Sequence, residues 1–398
     1  MPAPLAQAQT FAVIHSFTGG GDGWAPIGTT INGGGTIYGS EQGACCGGIF
    51  KMQRFGTAWI LSPLYTFFAG GPDGVNPGPV TIAPDSSLYA ATSAGGILGG
   101  QCGQTGCGAI INLRVPPNAS VTALRPWNIS LSYSFALAND GAMPGSLMSL
   151  TFDAAGNMYG TTQFGGVGNG TVFRLMHGDG GWHESVIYNF SARPDGNVPE
   201  SGVAVDPAGN IYGTTSLGGT ANLGTVFELS PSGSGYTEKV IYNFQNGSDG
   251  SQPWGELVLD AAGNLYGTAT SGGDGNGGTV FELTPSGGNW NFNLIHSFPG
   301  TGGFGPMAGL TMDSAGNLYG TSLGGPSGQG FIYKLTRTGG GGWTFTDLHD
   351  FTGADGSNPA GVVTLGSDGT LYGTTKNGGA FNSGQCGAGC GVIWQITP

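Results

Sequence analysis

A few residues of this chain stand where its repetitive neighbours carry something else. Glu200 and Trp254 occupy a position filled elsewhere by Met307 and Ala360, and Glu256 falls where Ser149, Gly202 and Gly309 occur. Glu41 replaces Thr162, Thr215 and Thr375, while Lys376 stands in for Gln163, Ser216 and Leu323. Cleavage of a glycosidic bond needs two carboxyls roughly 5 to 9.5 Å apart, one of them with a raised pKa. Glu200 and Glu256 are therefore the candidate acid/base pair, with Glu41 as a third carboxyl. Trp24 and Trp254 offer flat faces on which a sugar ring can stack. The competing reading is that these glutamates are merely solvated.

A second set of acids is periodic. Asp-Gly-x-x-Pro occurs at Asp22, Asp73, Asp140, Asp195, Asp249 and Asp355, and Gly302-Gly-Phe-Gly-Pro306 stands at the sixth of seven places. Such a ring could meet a ligand or cation, and Asp195 and Asp249 join Trp24, Trp254 and Lys376 in the candidate ligand set. Asp-Gly before Pro is also turn chemistry, in which the carboxylate bonds local amides. Asp153, Asp206, Asp260 and Asp313 recur in hairpin turns, and repetition there argues for structure. His15, His296 and His349 share a repeat position with Tyr65, Tyr133, Tyr188 and Tyr242, which reads as packing with a polar tip. There is no His-Glu-x-x-His, Gly-x-Ser-x-Gly or Walker lysine. No cofactor and no metal site is expected.

The elements that must position these residues follow from a repeat. Gly263-Asn-Leu-Tyr-Gly-Thr268 reappears around Tyr159, Tyr212, Tyr319 and Tyr372 at a spacing of about 53 residues, with degenerate copies around Tyr38 and Tyr89. Within one unit, residues 255 to 259 read as a strand, 260 to 264 as a tight turn and 264 to 270 as a second strand. A glycine loop, 271 to 278, then leads to strands over 279 to 284 and 290 to 298. The pattern predicts an all-β, seven-bladed β-propeller with four antiparallel strands per blade. The run Phe11–Phe17 matches a fourth strand, and Gly391–Thr397 matches a third that has no fourth after it. The N-terminal strand is thus expected to join the C-terminal blade and close the ring. Residues 11–398 form one domain on this reading, and 1–10, with Ala6-Gln7-Ala8, the remnant of an export signal or a flexible leader.

Composition narrows the partners. A net charge of −13 disfavours nucleic acid, and no apolar run is long enough to insert in a membrane. The cysteines fall in three clusters, Cys45 with Cys46, Cys102 with Cys107, and Cys386 with Cys390, which suggests disulfides formed in an oxidising compartment.

The run Asp-x-x-Gly-Asn-Leu-Tyr-Gly-Thr-Thr, a Gly-Gly loop, Gly-Thr-Val-Phe-Glu-Leu and a Trp or Tyr strand resembles the GloVer-type tandem repeat of secreted bacterial proteins. The resemblance implies a secreted or cell-surface location and no particular reaction. The leading expectation is a propeller that binds an extracellular ligand, a polysaccharide or glycan, on its loop-rich face. The alternatives are a glycoside hydrolase or polysaccharide lyase with carboxylates near the channel mouth, and a structural or assembly subunit at the cell surface.

Overall fold

A single carboxylate organises the hairpin at the heart of each full repeat. Asp260 Oδ1 accepts the backbone amides of Ala262 and Asn264, each at 2.9 Å. Its Oδ2 accepts the Asn264 side-chain amide at 2.9 Å and the Tyr266 hydroxyl at 3.0 Å. Gly263 closes the turn at φ 85°, where a β-carbon would be strained. The same bonds recur at Asp153, Asp206 and Asp313, and in the degenerate first copy Asn32 Oδ1 takes the amides of Gly34 and Thr36. Burial pushes the Asp260 carboxyl up, but the bonds from Asn264, Tyr266 and Ala262 outweigh it and hold the group below the usual carboxylate range. These acids are the turn.

The next two residues of the motif connect strands and blades. Gly267 pairs across the ladder with Phe281, and a β-carbon on Gly267 would lie 2.5 Å from the Phe281 ring. The glycine therefore admits the aromatic of its own third strand. Phe281 in turn meets Phe244 of the preceding blade edge-on at 5.4 Å, and Phe173, Phe227 and Phe50 make the matching contacts with Phe135, Phe190 and Phe17. In the second blade Ala90 replaces the glycine, and its partner is Ile111, with no aromatic ring to accommodate. Thr268 then donates its hydroxyl to the Ala308 carbonyl of the following blade at 3.0 Å, as Thr161, Thr214 and Thr321 do to Ser201, Gly255 and Gly361.

The computed structural model describes residues 9–43, 46–99, 101–115, 127–137, 139–145, 147–191, 193–300, 305–382, 384 and 386–398. In it these contacts arrange seven antiparallel sheets as the blades of a propeller. The first runs through Pro26–Ile31, Ile37–Glu41, Gly48–Phe55 and Ala58–Thr66, and the fifth through Val258–Leu259, Leu265–Ala269, Asn276–Ser286 and Asn289–Pro299. The seventh consists of Thr364–Leu365, Leu371–Thr375, Val392–Thr397 and, as its outer strand, Thr10–Ser16. Phe11 pairs with Ile396 and Ser16 with Val392, so the expected closure of the ring is present. The export-signal reading falls on a leader whose first eight residues lie outside those described.

Three details differ from the repeat reading. Outside the first blade the innermost strands are short; in the fifth only Val258–Leu259 joins the ladder, because the Gly255 carbonyl upstream is taken sideways by Thr214. The outer hairpin of that blade is longer than expected, since the 271–278 loop already pairs from Asn276. The second blade gains an extra short strand, Val75–Pro77, on Leu88–Ala94.

Replacing Asp260 by Ala removes four acceptor contacts while leaving the strand residues in place. The expected cost is about 2–3 kcal/mol, read as a lower urea midpoint, with Asp260→Asn recovering part of it. An unchanged midpoint for Asp260→Ala would show that the carboxylate does not anchor the hairpin.

Candidate functional site

The chain's exceptional residues sit along the channel and in the loops above it. Trp254 and Glu256 line the same small central cavity, with Leu147, Met307, Ala360 and Ile27 from other blades. Only about 10 Å³ there admits water-sized molecules. Glu256 reaches past Gly202 of the fourth blade and accepts the Ser149 hydroxyl of the third, with Thr151 at 3.5 Å. Glu200 accepts the Gln163 side-chain amide. Burial pushes both carboxyls up to about 7, opposed by Gln163 at Glu200 and by Ser149 and Thr151 at Glu256. Each is perturbed by its own burial and its own hydrogen-bond partners.

Glu41 is buried and serves a loop. Its Oε2 accepts the amides of Trp24 at 3.2 Å and Gly43 at 2.8 Å, while burial, partly offset by these bonds and reinforced by Asp22, raises it to about 7. The ring of Trp24 lies against Gly43, where a β-carbon would be 2.3 Å away, and packs on the cluster that holds Phe17, Cys386 and Cys390. The residue is half-buried. Lys376 sits at the end of Leu371–Thr375, and burial lowers its pKa. No carboxylate among the described residues forms an ion pair with it.

Asp195 and Asp249 are turned inward. Asp195 accepts the Tyr188 hydroxyl at 2.9 Å and the amides of Ser191 and Gly196 at 2.7 and 2.6 Å. Asp249 accepts Tyr242 at 3.1 Å and the amides of Gln245 and Gly247. Tyr65 and Tyr133 bond Asp73 and Asp140 in the same way, and His15 and His349 take the tyrosine's place against Asp22 and Asp355. The shared Tyr/His position is thus the partner of the Asp-Gly turn. Sequence reasoning missed that link, although both members of each pair were visible. It also missed Glu184 and Glu238, which face Tyr133 with Asp140 and Tyr188 with Asp195 from the next blade and are raised to about 7 by burial and those aspartates.

The loop face also carries the cysteines. Cys102 is bonded to Cys107 and Cys386 to Cys390, each closing a short loop. Cys46 is disulfide-bonded and buried, and Cys45 lies outside the described residues. Beside the first of these loops a groove of about 660 Å³ runs between the second and third blades. It is lined by Gln101, Cys102, Thr105, Met143, Phe164 and the backbone of Gly165–Gly168, with Phe164 41% exposed. No His, Cys, Asp and Glu cluster suited to a metal occurs among the described residues, nor does a helix long and apolar enough to cross a membrane.

The sheets define a seven-bladed β-propeller built from tandem repeats. Residues 144–387 match the Gloeobacter/Verrucomicrobia repeat, and the chain belongs to that family. Curated proteins provide no sequence match. Among solved structures, a streptogramin B lyase aligns over 98% of this chain and 99% of its own at 14% identity and TM-score 0.56. A virginiamycin B lyase from Staphylococcus aureus aligns over 98% and 100% at 14% and 0.57. An aldose sugar dehydrogenase from Streptomyces coelicolor aligns over 99% and 99% at 13% and 0.50. At these identities the likeness is one of fold, and the neighbours' functions differ.

Glu41, Glu184, Glu200, Glu238 and Glu256 all have folded values near 7 against an ordinary 4.5. The folded state holds their protons more tightly, so their contribution is fully present below about 4.5 and is lost as pH rises through about 7. The melting temperature should fall between pH 5 and pH 8. Glu256→Gln should be more stable than the parent by about 3 kcal/mol at pH 8, a gap that shrinks to less than about 1 kcal/mol at pH 5. A pH-independent difference would contradict the assignment.

Proposed function

We propose that this protein is an extracellular binding propeller that holds a glycan in the loop-face groove between its second and third blades. The observation that carries this reading is the contrast between that groove and the channel. The groove offers about 660 Å³ beside an exposed aromatic ring, polar tips from Gln101 and Thr105, and glycine backbone that a ligand can approach closely. Around Glu256 and Trp254 the free space, about 10 Å³, holds no sugar ring, so binding is favoured over cleavage. Phe164 provides the stacking face, and the Cys102–Cys107 bond holds one wall in place before the ligand arrives, which lowers the ordering cost of binding. Disulfides on this face fit an oxidising, extracellular setting.

A polysaccharide array read for both retention and released sugars tests the proposal. Retention without products is expected, with Phe164→Ala weakening it about tenfold, as loss of a stacked ring would. Reducing ends or unsaturated products that vanish in Glu200→Gln or Glu256→Gln would replace binding by catalysis. Absence of retention on every polysaccharide would remove the glycan reading.

A further inference from the structure

A cavity of about 260 Å³ lies between the fifth and sixth blades, lined by His296, Phe298, Ser322, Phe331, Phe345 and Asp347 among others. It is the place where three departures from the repeat converge. The sixth copy of Asp-Gly-x-x-Pro is the one without its aspartate, Gly302-Gly-Phe-Gly-Pro306. His296 therefore has no equivalent of the Asp22 or Asp355 that His15 and His349 bond, and among the described residues no carboxylate hydrogen-bonds it. Phe331 pairs with Ser322 where Thr171, Thr225 and Thr279 stand in the third, fourth and fifth blades, which puts a ring on the cavity wall. Asp347 occupies the outer-strand position that Val13, Pro63, Leu131, Val186, Val240 and Leu294 fill in the other six.

Scaffold requirements are common to all blades, so joint departures at one cavity need another cause. Asp347 is exposed, as Val13, Leu131 and Leu294 are at the same position, so the change of residue places a carboxylate at the open edge of the cavity. Its carboxyl is held above the usual range by partial burial and by the neighbouring Asp350, opposed by His349. A cation would be drawn to it. The remaining walls are apolar and aromatic: Phe345 lies 6.3 Å from Phe331 and 6.1 Å from Phe298, and it stacks on His296 at 4.4 Å. Burial lowers the His296 pKa, so the imidazole is neutral at pH 7 and adds no opposing charge. Aromatic faces attract cations through their quadrupoles, and the chain's net charge of −13 draws cations toward it.

We propose that this cavity binds a small organic cation with an apolar body, such as an aryl- or alkylamine, its body against Phe298, Phe331 and Phe345 and its ammonium at Asp347. The site is separate from the glycan groove and stands or falls independently of it. Phenethylamine and its neutral counterpart 2-phenylethanol, titrated by calorimetry and by saturation-transfer NMR at pH 7, make the test. The amine should bind saturably at about the high-micromolar to millimolar level expected of so small a ligand, and about tenfold more tightly than the alcohol. Asp347→Asn should abolish that preference. Asp347→Val, which installs the residue of the third and fourth blades and so should fold, should abolish it as well. Equal binding of amine and alcohol, an amine preference that survives both variants, or no saturable binding of either ligand would each overturn the proposal.

Discussion

Everything in this molecule depends on its ring being closed by strand pairing. The seventh sheet takes only three strands from the end of the chain, and Val392–Thr397 would be a bare edge if Thr10–Ser16 did not pair with it. The closed ring uses the contacts of the other blade junctions at its seam. Thr364 donates to the Thr29 carbonyl of the first blade, as Thr151 and Thr311 do to Val203 and Val363. Phe17 meets Phe50, and Phe11 stacks on His349 at 3.5 Å as His296 stacks on Phe345. Closure fixes which face carries the loops, and hence where any ligand can approach.

Within the ring, repeated residues are consumed by structure and only unrepeated ones are left for chemistry. Both families of repeated aspartates illustrate this. The hairpin acids spend their oxygens on their own turn and its tyrosine, and the Asp-Gly acids spend theirs on the preceding strand's Tyr or His and on local amides. The unrepeated acids divide further. Glu41 and Glu256 are tied to neighbours inside the protein, whereas Asp347 faces a cavity. A charged residue that breaks the pattern is thus a starting point for a functional reading, and its partners decide what that reading can be.

The fold was legible because its rules are local and recur. The Asp-x-x-Gly-Asn-x-Tyr turn and the spare strand at the start of the chain both follow from residue type and spacing. The site was less legible because it depends on which blades meet. Trp24 and Trp254 look alike as stacking platforms, yet the first packs against Gly43 beside the Cys386–Cys390 loop and the second lines a nearly filled channel. Glu200 and Glu256 stand in adjacent repeats, but each finds its partner in an earlier blade, at Gln163 and Ser149. The groove beside Phe164 is shaped by two loops far apart in sequence, and no spacing rule announces it.

Amide hydrogen exchange of the intact chain, followed by mass spectrometry of the peptide covering Thr10–Ser16, tests the closed ring most directly. The account predicts protection comparable to that of Asn289–Pro299, the outer strand of the fifth blade, which has the same place in its sheet. Exchange of the N-terminal peptide at the rate of an unstructured tail, with the fifth-blade strand still protected, would contradict it.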